Sequence, residues 1–355
     1  MIEEADYNAL PADFEAKMKA KRARARAARS AEASARRFER FASFELEEEI
    51  AEGPTARVYR ARAADASGTA LAVKIIRRAV VAGVETPGAR AASLRARRER
   101  LVALDHPHLL RVHDVVEDGG RTALILDLRE EETLNDHVRE RGPLGFQRVA
   151  QLGADLSSAL QAIHESGLVH NDVEPRNLWL SETRTVLAEL SSACEFGTER
   201  GDRAIALSGS PQFMAPELLR GEAPTPASDV YALGALLCFA LTGRPPLKGP
   251  RLHQLRDAHE RDARPRLSDK LDDLPRELAE LIDRALDGDP AARPSDLAAY
   301  GDALRDCAAI DPASARLEHA SGFQRWWRTL PRPARILILG GLVVGFVLLL
   351  WNRGS

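Results

Sequence analysis

LVHNDVEPRNLWL occupies residues 168–180, and SGSPQFMAPELL occupies residues 208–219. The first stretch gathers His170, Asn171, Asp172, Glu174 and Asn177 between apolar ends, and in isolation Asp172 reads as a turn- or helix-capping aspartate. Just before it, LGADLSSALQAIHESG (152–167) has apolar residues at helical spacing and a glycine stop at Gly167. After the second stretch, DVYALGALLCFALTG (229–243) is apolar nearly all round, as a buried core helix should be. LPRELAELIDRALDGDP (274–290) is an amphipathic helix with a Gly and Pro stop. Upstream the pattern changes. VYRARA (58–63) and ALAVKII (70–76) are short alternating or apolar runs around the turn-like ADASGT, and Leu109–Val116 and Thr122–Leu128 also read as strands. Only Ala89–Leu104, rich in arginine, interrupts them as one helical stretch. A strand-rich half followed by a helix-rich half predicts an α+β, two-lobed molecule.

Composition agrees with a globular chain. Charged residues make up 29% and hydrophobic residues 45% of 355 positions, enough for a real core. The net charge of −3 gives no general case for nucleic acid. Cys194, Cys238 and Cys307 are widely spaced and odd in number, which argues against a disulfide framework or a zinc site and for a reducing compartment. The acidic opening MIEEADYNALPADFEAK lacks the apolar core of a secretory signal. Residues 1–43, crowded with Lys and Arg from 17 to 40, are expected to form a basic helical or disordered arm.

In order along the chain, several stretches resemble the protein kinase family, notably its bacterial Ser/Thr members. Ala72-Val73-Lys74 looks like the strand lysine that holds the ATP α- and β-phosphates. His106-Pro107 resembles the step before the fourth strand, LVHNDVEPRNLWL the catalytic loop, and SGSPQFMAPELL the end of the activation segment. SDVYALGALL (228–237) resembles the helix that follows, and Arg293-Pro294-Ser295 the late arginine that pairs with the Glu of Ala-Pro-Glu. The resemblance covers 44–308, with an N-lobe over 44–128 and a C-lobe over 133–308. It implies a buried Glu217–Arg293 ion pair and a bidentate arginine fork. It also implies ATP contacts at Gly53, Val58, Ala72, Lys74, Asp127, Leu128 and Asn177. Asp172 would orient the substrate hydroxyl, and Asn177 and Glu189 would bind Mg²⁺.

The departures from the family's pattern are equally specific. The Gly-rich loop reads Ile50-Ala51-Glu52-Gly53-Pro54-Thr55-Ala56, with one glycine left to admit phosphate to the backbone N–H groups. The glutamate that pairs with the strand lysine is expected at Arg97; Glu99 lies two residues on, roughly 200° around a helix. Asn171 replaces the arginine that docks a phosphorylated activation loop. Glu174 replaces the lysine that touches the transferred phosphate. A unit-charge pair at ~4 Å in an effective dielectric of ~20 is worth about 4 kcal/mol, so reversing its sign is expected to slow transfer severely unless Glu174 recruits another cation. The metal-binding Asp-Phe-Gly aligns best with Glu189-Leu190-Ser191; Ser191-Ser192-Ala193 and Glu195-Phe196-Gly197 are two other registers. The sum favours a pseudokinase that binds nucleotide, Mg²⁺ weakly, and a partner protein. The alternative is an active, atypical Ser/Thr kinase that acts on protein hydroxyls.

Ile336–Trp351, ILILGGLVVGFVLLLW, carries no charge. It is short of the ~20 residues of a usual span, but Ala334 and the stem of Arg335 extend it. Trp326, Trp327 and Trp351 suit the interfaces, and Arg325, Arg328, Arg332 and Arg335 precede it while Arg353 alone follows. Residues 335–351 are therefore expected to be a transmembrane helix after a 309–334 linker, with the kinase-like domain cytoplasmic, at the bacterial inner membrane if the source is bacterial. The basic arm could then meet membrane lipid. Gly341 and Gly345 form a G-x-x-x-G step that suits a homodimer, or are ordinary glycines of a membrane helix.

Overall fold

The computed structural model describes residues 39–311, except 54, 65–68, 78–79, 82–83, 86–88, 182–183, 198–209, 248–251, 262–265 and 270–273. The basic arm as far as residue 38, the linker from residue 312, the apolar run 335–351 and Gly341 and Gly345 lie outside the described residues. The chain divides into two compact units, Met1–Glu131 and Glu132–Ser355. Among the described residues no helix is long and apolar enough to cross a membrane.

The first unit is built on a six-stranded sheet. Its strands begin with β1 (Glu39–Phe41), β2 (Phe44–Glu52), β3 (Ala56–Ala63) and β4 (Ala70–Ile76). A small hairpin, β5 (Val80–Val81) and β6 (Val84–Glu85), comes next. Two short helices, α1 (Ala89–Ala96) and α2 (Arg98–Ala103), precede β7 (Val112–Asp118) and β8 (Arg121–Asp127). The sheet order is β1-β2-β3-β4-β8-β7, with antiparallel pairing throughout. Strand β4 is central, and its apolar run is buried from Leu71 to Ile76. Successive strand residues face opposite sides. Leu71, Val73 and Ile75 therefore share one face, where they pack with Phe41, Leu46, Ala61, Ala123 and Ile125. Ala72, Lys74 and Ile76 take the other.

Three details of this unit differ from expectation. The sheet starts at Glu39, because Phe41 is fully buried in the same cluster and β1 pairs with β2. The helical stretch is broken at Arg97, whose φ of −101° and ψ of 2° leave the helical range. The strand expected from Leu109 begins at Val112.

The second unit opens with β9 (Glu132–Thr133) and α3 (Leu134–Arg141), capped by the Thr133 side chain on the Asp136 N–H. Helix α4 (Phe146–Glu165) leads through β10 (Leu168–Val169) to β11 (Leu178–Leu180), β12 (Thr185–Leu187) and β13 (Cys194–Glu195). Helices α5 (Pro216–Arg220), α6 (Pro226–Thr242), α7 (Leu252–Glu260), α8 (Arg276–Ala285) and α9 (Leu297–Ala308) follow. Every residue of α6 from Ser228 to Cys238 is buried, as its all-round apolar pattern requires. Helix approach depends on small residues: a Cβ added at Gly234 would lie 2.9 Å from Ala285 Cβ and 3.3 Å from its backbone carbon. Cys194, Cys238 and Cys307 are all free and buried. Desolvation pushes the Cys238 and Cys307 thiols each up to about 11.

Candidate functional site

In the second unit the segment from β10 to β11 is organised by one carboxylate. Asp229, on α6, accepts the His170 and Asn171 backbone N–H groups and the His164 Nε2–H, each at 2.8 Å. A carboxylate buried to 1% exposure needs such donors, and these fix the loop backbone. Asn171 sits in the left-handed region at φ 63°, where asparagine is better tolerated than most residues.

His170 joins the loop to the strand pair β11–β12. Its Nε2–H donates to the Ala188 carbonyl at 2.8 Å, and Nδ1 accepts the Asp172 N–H at 3.2 Å. Both contacts specify the neutral Nε2–H tautomer. Burial depresses its pKa, outweighing the opposing pull of Asp229 and Glu189. Asp172 is 9% exposed, and its carbonyl accepts Asn177 Nδ2–H at 2.9 Å. That bond fixes the Asn177 amide and leaves its oxygen without a partner among the described residues.

Glu189 lies one residue beyond the end of β12, after Ala188, and adopts φ 73°, ψ 32°. A left-handed non-glycine residue costs on the order of 1–2 kcal/mol, and such strain gathers at functional sites. Ser191 Oγ–H donates to the Glu189 carboxylate. The other two registers fall elsewhere. Ser191 and Ser192 lie in a buried 3₁₀ turn, while Glu195 pairs in β13 with Leu168 and Phe196 is 46% exposed. Among the described residues no group of three or more His, Cys, Asp or Glu side chains could hold a metal ion. One amide oxygen and one longer-stemmed carboxylate fit magnesium carried by phosphates, not magnesium held by the protein alone.

Glu174 departs from the expected unbalanced negative charge. Its carboxylate, in a residue only 5% exposed, receives Arg176 Nε–H at 3.1 Å, with Arg176 Nη2 3.0 Å from the same oxygen. It also accepts the Ser210 N–H at 3.2 Å, and Arg176 Nη2 donates to Ser210 Oγ at 2.8 Å. The catalytic-loop stretch and the 208–219 stretch are thus joined through one charged pair.

The expected Glu217–Arg293 pair is present. Arg293 Nη1 and Nη2 donate to the two Glu217 oxygens at 2.6 and 2.9 Å, with the side chains 0% and 3% exposed. Arg293 also donates to the Ala227 and Asp287 carbonyls, both at 2.8 Å, and lies 5.1 Å from the Tyr231 ring centre.

In the first unit Val58 pairs directly with Lys74, and Ala72 lies two residues before it, so all three share one sheet face. Lys74 is 8% exposed, its stem covered as the flanking apolar residues require. Arg97 is 4% exposed and bonds to Ser93 Oγ, whereas Glu99 faces solvent. Gly53 begins a turn in which its N–H donates to the Ala56 carbonyl at 2.9 Å. A Cβ there would meet that oxygen at 3.6 Å, an ordinary contact, so this conformation does not demand glycine. Glu52 anchors the turn with Arg57 at 3.0 Å and Arg77 at 2.5 Å, and these arginines lower its pKa. Asp127 ends β8 with its carboxylate 2.8 Å from His113 Nε2, and Leu128 follows half-buried.

The structure therefore places Lys74, Val58, Ala72, Gly53, Asp127 and Leu128 in one unit, and Asp172, Asn177 and Glu189 in the other. Sequence reasoning missed Asp229, Arg176 and Ser210. A lone aspartate in an otherwise apolar helix was the available signal for the first, and an arginine two residues after Glu174 for the second.

Comparison with known proteins agrees with this arrangement. Residues 44–304 match the protein kinase domain. Serine/threonine-protein kinase PkaA of Streptomyces coelicolor is 32% identical over 268 residues, 70% of this chain and 47% of the relative. PknK of Mycobacterium tuberculosis is 35% identical over 209 residues, 57% of this chain and 18% of the relative. PknB of Mycobacterium leprae is 34% identical over 169 residues, 44% of this chain and 26% of the relative. The chain thus spans less than half the length of these relatives. A strand-rich unit with a buried strand lysine, a helical unit with the Glu217–Arg293 pair, and the match over 44–304 lead to one assignment: the chain belongs to the protein kinase superfamily and is similar to the bacterial Ser/Thr kinases.

Proposed function

We propose that this chain is a membrane-anchored signalling protein of the kinase family that binds ATP and transfers its γ-phosphate poorly. The observation that carries this reading is the buried Arg97 with Glu99 turned to solvent. The position between α1 and α2 from which the resemblance would have a carboxylate meet Lys74 carries a cation instead, and like charges do not orient one another. The turn at Gly53 supports the same reading, since its surviving glycine is not there for conformational need. Lys74, Gly53, Val58, Ala72, Asp127 and Leu128 would bind ATP from the first unit. Asp172 would face a protein hydroxyl, and Asn177 and Glu189 would hold phosphate-borne magnesium, which neutralises charge on the transferred group. The apolar run 336–351, with arginines gathered before it, supports a single-pass C-terminal anchor and a cytoplasmic kinase domain. Contact of the basic arm with lipid and pairing through Gly341 and Gly345 belong to the same proposal.

A second reading, an active Ser/Thr kinase of protein substrates, is favoured by the Glu174–Arg176 pair. The negative charge expected to repel phosphate is matched by an arginine 3.0 Å away. Autophosphorylation of the full chain with Mg²⁺ or Mn²⁺, compared with Asp172→Asn, separates the two. Fast transfer abolished by Asp172→Asn would reject the impaired-transfer reading, and ATP binding without transfer would support it. Recovery of the full chain in the membrane fraction, and its loss on removing 335–355, tests the anchor.

A further inference from the structure

Residues 168–180 carry two carboxylates, Asp172 and Glu174, and one side chain that is cationic at neutral pH, Arg176, since His170 is held neutral. We infer that Arg176 is the cation with which this loop meets the terminal phosphate of a nucleoside triphosphate, and that Glu174 is the positioning residue that aims it. The inference rests on the nucleotide-binding reading above.

The geometry is specific. Glu174 is buried and grips one edge of the guanidinium through Nε and Nη2, at 3.1 and 3.0 Å. Ser210 Oγ accepts a further bond from Nη2 at 2.8 Å, so the plane of the group is defined from two sides. The opposite amino group, Nη1, has no partner among the described residues, and the Arg176 side chain is 64% exposed. A planar fork fixed along one edge presents its other N–H groups in a set direction, the arrangement that suits recognition of phosphate oxygens. Arg176 stands in the loop between Asp172 and Asn177, and a cavity of about 20 Å³, room for a water, is lined by Asp172, Glu174 and Ser210. A phosphate arriving beside Asp172 needs a cation, and no other side chain of this loop provides one. An ion pair between an exposed arginine and its neighbour contributes little to stability. The buried carboxylate therefore serves better as an anchor that orients the guanidinium than as a source of folding energy.

The decisive measurement is the affinity of the full chain, in detergent with Mg²⁺, for ATP and for ADP. Arg176→Ala should weaken ATP about tenfold and leave ADP unchanged, because only the terminal phosphate loses a charge-assisted contact. Arg176→Lys should keep part of the ATP preference, and Glu174→Gln should reduce it by freeing the guanidinium to wander. Unchanged ATP affinity in Arg176→Ala, or an equal loss for both nucleotides, overturns the inference while leaving nucleotide binding intact. Absence of binding to either nucleotide in the unmodified chain overturns the nucleotide-binding reading itself, and this inference with it. If Arg176→Ala fails to fold, the ratio of ATP to ADP affinity in Arg176→Lys decides: a ratio equal to that of the unmodified chain counts against the contact.

Discussion

Replacing Arg293 by Met removes the cation from the most deeply buried ion pair described. Five acceptors lose a donor at once: both Glu217 oxygens, at 2.6 and 2.9 Å, the Ala227 and Asp287 carbonyls, at 2.8 Å, and the Gly288 carbonyl, at 3.5 Å. The Glu217 carboxylate is left charged with its side chain 3% exposed. Removing one partner of such a pair costs about 3–5 kcal/mol, because the survivor stays desolvated. The Met stem keeps part of the packing against Tyr231, so the loss is electrostatic in origin. The double replacement Glu217→Leu with Arg293→Met removes the stranded charge but does not restore a donor to the carbonyls. The carbonyls lose the same donor in Arg293→Met, at on the order of 1–3 kcal/mol each, so the double variant differs from it by having no stranded charge. It should therefore be more stable than Arg293→Met alone, a non-additivity of about 2 kcal/mol or more. Denaturant unfolding of the full chain, followed by the far-UV signal of its helices, gives these numbers as shifts in midpoint. A loss below about 1 kcal/mol in Arg293→Met, or a double variant as unstable as the sum of the two single ones, would refute the reasoning.

Burial depresses the His170 pKa, so the unfolded chain binds a proton below about pH 6.5 that the folded chain refuses. Stability is then full above that pH and falls as pH drops toward the lowered value, by at most ~1.4 kcal/mol per pH unit. Denaturant midpoints at pH 7.5 and pH 5 should show this loss, and His170→Gln should flatten it. Asp229→Asn leaves one acceptor oxygen where three N–H groups converge and should cost about 3 kcal/mol by the same unfolding measurement. Gly234→Val places a branched side chain against Ala285 and should cost roughly 3 kcal/mol, of which Ala285→Gly restores part.

Much of the fold was legible because its residues must satisfy strong local demands. Helix α6 has no polar face except at its start, so it could only be a core helix. Glu217 and Arg293 are 76 residues apart, and no pattern within either stretch connects them; the family resemblance did. Strand β1 escaped notice because Glu39-Arg40-Phe41 sits at the end of an arginine-rich run, and only the burial of Phe41 marks it as sheet. The break at Arg97 could not be read from a stretch rich in helix formers, where tertiary packing decides which residue turns inward. The Glu174–Arg176 pair escaped for a different reason. A two-residue spacing places side chains apart on a helix or together on a strand, and only the 3₁₀ turn after Glu174 lets this arginine fold back. The left-handed backbone at Glu189 leaves no compositional trace at all, since glutamate seldom adopts it.

The three sequestered thiols give the helical unit an internal clock. Alkylating reagents attack the thiolate, and Cys238 and Cys307, each with a pKa near 11 and little surface, offer almost none at neutral pH. Cys194 is equally shielded by position. Because these residues lie on α6, α9 and β13, each reports the opening of a different element. Timed modification by iodoacetamide, read by peptide mass, would rank which of the three parts loosens first.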